Sequence, residues 1–296
     1  MPAGIICFIG FLLSLLSYFF IENPYVRTTL LVLFVSTTSG AYMVKGAINE
    51  WYYRRFPRRL SKSDRAFLEK YFKQYANFPE ERKIKFEQIF YLMRLELVFE
   101  SQVLESVPGD IMMLCCAYGT LIMMEQEPAR FTQLGVVTLY PTLFKSPKLH
   151  TEAHAFEFNY DDDEYHCIIL ANDAFVKGHT TPKAYYNVGL HAFARALQVQ
   201  LKMHDDVVPR GKATSLIEFI AIMSHIRGFQ DVPEYQFMLN GGKAWEVFPM
   251  CVEHYFMAPK PFKEMMPETY NFIEKILKTN PDGLKITLDN WVKVEK

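Results

Sequence analysis

The residues with the most chemical potential lie together in Asn187-Val188-Gly189-Leu190-His191-Ala192-Phe193-Ala194-Arg195. Tyr186, Leu190, Phe193, Leu197 and Leu201 recur at spacings of three and four, which predicts a helix with one apolar stripe. Asn187, His191 and Arg195 are each four apart, about one helical turn, so they form a polar line on one face. The nearest chemical pattern is His-Glu-x-x-His, in which two imidazoles hold zinc and the Glu takes a proton from water. Here Ala192 stands at the Glu position and Arg195 at the second His. Alanine accepts no proton, and loss of a positioned general base costs ~10²–10⁴-fold in rate. A guanidinium has only N–H donors, no lone pair for a metal, and a fixed positive charge that repels a divalent cation. On residue types alone, a single His on an apolar helix is more often structural than a ligand, since short motif matches carry a false-positive risk.

The elements that position this stretch follow from periodicity and turn residues. Thr181 as N-cap and Pro182 at the first helical position are expected to start the helix that carries His191. Upstream, Ser61 caps a helix with Phe67, Tyr71 and Phe72 on one face, and a second helix runs from Pro79 to about Glu100. Ile111 to Met124 is almost continuously apolar but too short to span a bilayer, so it predicts a buried core helix. Cys115 and Cys116 inside it are core residues. Val136 to Pro141 reads as a strand, and segments near 155–159 and 165–170 read as a strand pair. The carboxylate run Asp161 to Glu164 between them lacks calcium-loop spacing and reads as a solvated tip. Helices are expected over 214–228, 244–257 with a kink at Pro249, and 261–278, with polar loops at 205–213 and 232–242. The fold class is α+β, mainly helical with a small β-sheet.

Residues 1–44 read differently. Ala3 to Ile21 carries no charge, and Thr28 to Val44 is a second uncharged run after the polar link Glu22 to Arg27. These predict a transmembrane helical hairpin with spans at about 3–21 and 28–44. No Lys or Arg precedes Arg27, which argues against a cleaved leader. Lys45, Arg54, Arg55, Arg58, Arg59 and Lys62 follow the second run against only Glu50, so residues 45–59 read as a basic juxtamembrane linker on the cytoplasmic side. Residues 60–282 then form a soluble domain facing the cytoplasm, and 283–296 a tail. The expected location is an inner or cytoplasmic membrane. The formal net charge of -1 and the absence of Gly-rich phosphate motifs give no support to a nucleic acid partner or a nucleotide. Five cysteines without a C-x-x-C pair fit a reducing compartment.

With these segments in order, residues 60–282 resemble the Mlc titration factor A family, the DgsA anti-repressor type of zinc-dependent peptidase. The resemblance rests on the apolar helix, Leu139-Tyr140-Pro141, Asn187 to Arg195, Trp245-Glu246-Val247-Phe248 continuing through Glu253 to Pro259, and Met266-Pro267-Glu268-Thr269-Tyr270. It implies a zincin-like domain in which His191 matches the first zinc ligand and Glu246 the third. Ala192 falls at the general-base position, so no catalytic residue is expected to be active. Arg195, Asn187 and Glu253 are remnants of the site. The family's Tyr before the late Glu is Leu239 here. His254, two turns past Glu246, is a poor substitute ligand.

The reading is therefore a membrane-anchored pseudopeptidase that acts as a binding or regulatory module. An Arg195–Glu246 ion pair is expected where the metal would sit. No cofactor is expected, and zinc enters only in the alternative, an active metallopeptidase with an altered metal site. A structural membrane scaffold is the second alternative. The partners are the membrane and, by the resemblance, a protein such as a transcriptional regulator.

Overall fold

A computed structural model describes residues 2–56, 59–102, 106–145, 153–154, 156–159, 166–228 and 246–277. The chain divides into two compact units, Met1–Arg65 and Ala66–Lys296.

The first unit holds α1 (Pro2–Phe20), α2 (Pro24–Met43) and α3 (Lys45–Arg55). Asn23 starts α2, its side chain accepting from the Tyr25 and Val26 amides, with Pro24 at the first helical position. α1 and α2 pack side by side along Ala3, Cys7, Gly10, Ser14 and Ser17, small residues at alternating spacings of four and three. A Cβ at Gly10 would run into the Thr38 hydroxyl, so the two backbones meet closely there. α1 is long and apolar enough to cross a membrane; α2 passes that test only together with α3, from which it is bent by 76°. The segment read as a basic linker is thus largely helical.

In the second unit the sheet order is β1-β2-β6-β5: β1 (Val98–Ser101), β2 (Leu134–Tyr140) and β6 (His166–Ala171) are parallel, and β5 (Phe156–Asn159) pairs antiparallel with β6. β3 (Phe144–Lys145) and β4 (Ala153–His154) form a separate short pair. β6 is buried on both faces, which explains its unbroken apolar run Cys167 to Ala171. α4 (Lys62–Tyr71), begun by Ser61 and divided between the units after Arg65, leads to α5 (Lys73–Ala76) and α6 (Glu80–Glu96). α7 (Gly109–Met123) is apolar all round and buried, as expected of a core helix. Phe72, Tyr75, Phe86 and Tyr118 form an aromatic cluster around its side, with Phe72 and Tyr118 edge to face at 5.2 Å. α8 (Asn172–Thr180), α9 (Val188–Gln200), α10 (Leu216–Arg227), α11 (Val247–Met257), α12 (Pro259–Met265) and α13 (Pro267–Leu277) complete the unit.

Several expectations are corrected. The helix after Pro79 stops at Glu96, and 98–101 is a strand, because Leu97 turns to extended backbone and pairs β1 with β2. Thr181 does not start the His191 helix: it ends α8, and Asn187 is the N-cap of α9. Pro249 lies in the first turn of α11, where a helix has no donor to lose, so no kink is required there. The last predicted helix is two, α12 and α13, divided at Met266 before Pro267. The 161–164 run, Leu239 and the 283–296 tail lie outside the described residues.

α9 sits at the centre of the unit, pressed between α7, α11 and α8. Gly178 and Gly189 make this possible. A Cβ at Gly178 would run into the Tyr186 carbonyl oxygen, and one at Gly189 would meet the Phe175 ring at 2.5 Å. The first obstacle is backbone and has no rotamer to escape into. Gly178→Ala is therefore expected to cost ~1–3 kcal/mol, as overpacking does, read as a lower midpoint in chemical denaturation.

Candidate functional site

The sequence-predicted residues fall into two neighbouring polar clusters. The first fixes where α9 begins. The Asn187 side chain accepts from Leu190 N at 2.9 Å and donates to the Tyr118 hydroxyl at 2.7 Å, and that hydroxyl also meets His179 Nδ1 at 2.8 Å. The Asn187 backbone N–H donates to Glu253 Oε1 at 3.3 Å. Glu253 is fully buried and accepts from Arg227 Nη1 at 2.9 and 3.0 Å. Arg227 Nη2 donates in turn to the Pro182 carbonyl. One carboxylate thus joins α11, the end of α10, and the turn that enters α9. His254 belongs to this cluster. Its ring nitrogens meet the Met250 and Met223 carbonyls at 2.9 and 2.8 Å, so backbone contacts occupy the ring and it serves as no spare metal ligand.

The second cluster is the candidate site. His191, one turn into α9, is fully buried, and its Nδ1 lies 2.6 Å from the Tyr186 hydroxyl. Its Nε2 lies 3.8 Å from Glu246 Oε2. A carboxylate only accepts, so the favourable neutral tautomer carries its proton on Nε2 and lets Nδ1 accept from Tyr186. Glu246 is the N-cap of α11, and that helix is held in place by Asp205 rather than by Glu246 itself. Asp205, from the 3₁₀ turn Asp205–Val207, accepts from Phe248 N at 2.9 Å and from Gln198 Nε2 at 2.8 Å. Gln198 Oε1 accepts from Arg195 Nη1 at 2.7 Å. A relay therefore runs Arg195–Gln198–Asp205 to the start of α11.

The electrostatics follow from this arrangement. Burial weakens the proton affinity of the Arg195 guanidinium, while Asp205 first and Glu246 second support its charge. Burial pushes the Asp205 carboxyl up, against the pull of its hydrogen bonds and of Arg195. Ala192, at the position of a general base, is buried and inert.

Three of these residues escaped the sequence. Tyr186 reads as one more member of an apolar stripe. Gln198 stands three after Arg195 on the same helical face, a detectable pairing. Asp205 carries no local signal, because its partner amides are 42 and 43 residues downstream.

A family model described as glucose-regulated metallo-peptidase M90 matches residues 48–278. The chain belongs to that family. No curated protein matches it. The M90 name implies a catalytic metal, so the donors present must be tested against one. A catalytic zinc takes three protein ligands and keeps one open position. In this M90 chain His191 and Glu246 offer two donors 3.8 Å apart, and Arg195, one turn after His191 on α9, is a cation. Among the described residues no three His, Cys, Asp or Glu side chains converge closely enough to share a metal ion. The donors among the described residues fall one short of a catalytic zinc, because a guanidinium has no lone pair to give.

Two outcomes are expected. Glu253→Ala strands Arg227 in the core and should destabilise by ~3–5 kcal/mol, whereas Glu253→Ala with Arg227→Met should recover much of the loss; urea denaturation compares them. Burial, then the charge of Arg195, pushes the His191 imidazole down to about 3. The unfolded chain takes up that proton below about pH 6.5. The His191 contribution is thus complete above about 6.5 and is lost as pH falls toward about 3. Unfolding free energy should drop by up to about 1.4 kcal/mol per pH unit in that window, and His191→Gln should flatten the slope.

Proposed function

We propose that this chain is a membrane-anchored pseudopeptidase that works by binding a protein partner. The observation that carries the reading is the cation at the second ligand position. His191 and Glu246 still face each other at 3.8 Å, as two ligands of one metal would, while Arg195 brings a positive charge into their field. A side-chain cation, attracted by Glu246 and Asp205, stands in for the ion. The zincin-like scaffold is retained because the charge of the lost metal has a replacement.

The binding role draws on the resemblance to the anti-repressor type, whose members bind a transcriptional repressor. The sheet supports it physically. Among the described residues β5 ends the sheet, beside α9, and an edge strand offers backbone groups to an extended peptide. A chain that keeps this edge strand and lacks the general base holds a peptide without cutting it. Anchoring draws on α1, whose window of mean hydropathy 2.2 suits a bilayer.

Metal analysis of the purified full-length protein tests the reading. Zinc is expected well below one equivalent, with no chelator-sensitive peptide cleavage. Ala192→Glu with Arg195→His restores the full pattern on this helix and should gain zinc. Stoichiometric zinc in the unsubstituted protein, lost in His191→Ala, would overturn the proposal in favour of an active metallopeptidase.

A further inference from the structure

We infer that α3 lies in the headgroup layer of the membrane and gathers anionic phospholipid; this rests on the anchored reading above. Three observations within the first unit carry it.

The first is direction. α2 has 20 residues, about 30 Å of helix, long enough for a hydrocarbon core, and meets the composition of a span together with the start of α3. At Val44 the chain bends by 76°, so a helix that follows a crossing α2 runs close to the membrane plane. The second is depth. Asn49 of α3 accepts from the Ala3 backbone N–H at 3.2 Å. That amide is one of the first-turn donors a helix cannot satisfy itself. α3 is therefore fastened at the end of the hairpin where α1 starts and α2 stops, which is the level of one bilayer surface.

The third is the chemistry of the exposed side chains. Met43 is 84% exposed, Trp51 66%, Tyr42 61% and Phe56 54%, an apolar and aromatic surface that water does not favour. Tryptophan and tyrosine concentrate at bilayer interfaces, where the ring is apolar and its polar edge stays wet. Lys45 stands 4.5 Å over the Tyr42 ring, and Arg55 and Arg59 are exposed on the same stretch. Ordinary solvation accounts for the cations alone. It does not account for cations interleaved with large exposed apolar rings on a helix fastened across the end of a hairpin. An anionic leaflet satisfies both, the acyl boundary taking the rings and the phosphates the charges. Each Lys or Arg held near such a surface strengthens the attraction on the order of fivefold.

The test uses the full-length protein in vesicles. The chain has three tryptophans, and Trp245→Phe with Trp291→Phe leaves Trp51 as the reporter. Brominated phosphatidylglycerol and brominated phosphatidylcholine are compared as quenchers at equal mole fraction. The expected result is quenching by both, stronger for phosphatidylglycerol. The excess should shrink with added salt in the same protein, and should be lost in Lys45→Gln/Arg55→Gln/Arg59→Gln. Equal quenching by the two lipids overturns the recruitment of anionic lipid. Trp51 left unquenched in protein that still pellets with carbonate-washed membranes overturns the placement of α3 while leaving the anchor intact. Release by carbonate overturns the anchor itself, and with it this inference.

Discussion

The second unit depends on one fully buried carboxylate. Glu253 has no access to water, so its charge must be met by protein groups alone. Arg227 meets it with one nitrogen on both oxygens, and the Asn187 N–H meets it from a second side. Both partners are themselves at element ends: Arg227 closes α10 and Asn187 opens α9. The pair therefore sets where two helices stop and start relative to a third. Removing any member would leave a charge or a donor stranded in the core, which is why such pairs specify an arrangement more than they add stability.

That anchoring determines the geometry of the candidate site one turn further on. With the N-cap of α9 held by Glu253 and Tyr118, His191 has a defined place against Tyr186. Asp205 does the corresponding work for α11, receiving the Phe248 amide so that Glu246 emerges opposite His191. The faces that carry His191 and Glu246 are thus positioned by hydrogen bonds from other residues. The two supports differ in their relation to Arg195: the Glu253 bond to the start of α9 does not involve it, whereas the Asp205 support of α11 reaches it through Gln198.

In the anchored reading proposed above, the first unit meets a different solvent. Its small-residue stripe lets α1 and α2 meet backbone to backbone, as helices do when the surroundings supply no hydrophobic drive. Its outward side chains are large and apolar, which is favourable against acyl chains and unfavourable against water.

Local signals carried much of this to the sequence alone. Unbroken hydropathy marked α1 and α7, the 3.6 period marked α9, and Ser61 marked the start of α4, because each depends on residues within a few positions of one another. The chemistry of position 195 was equally readable: no fold can give a guanidinium a lone pair. What only the tertiary structure decided was partnership. That Glu253 meets Arg227 and Asn187, that Asp205 holds α11, that β1 is a strand, and that Asn187 rather than Thr181 starts α9 all depend on groups brought together from distant parts of the chain. A buried polar group takes whichever partner the packing presents, and nothing within a few residues of it records that choice.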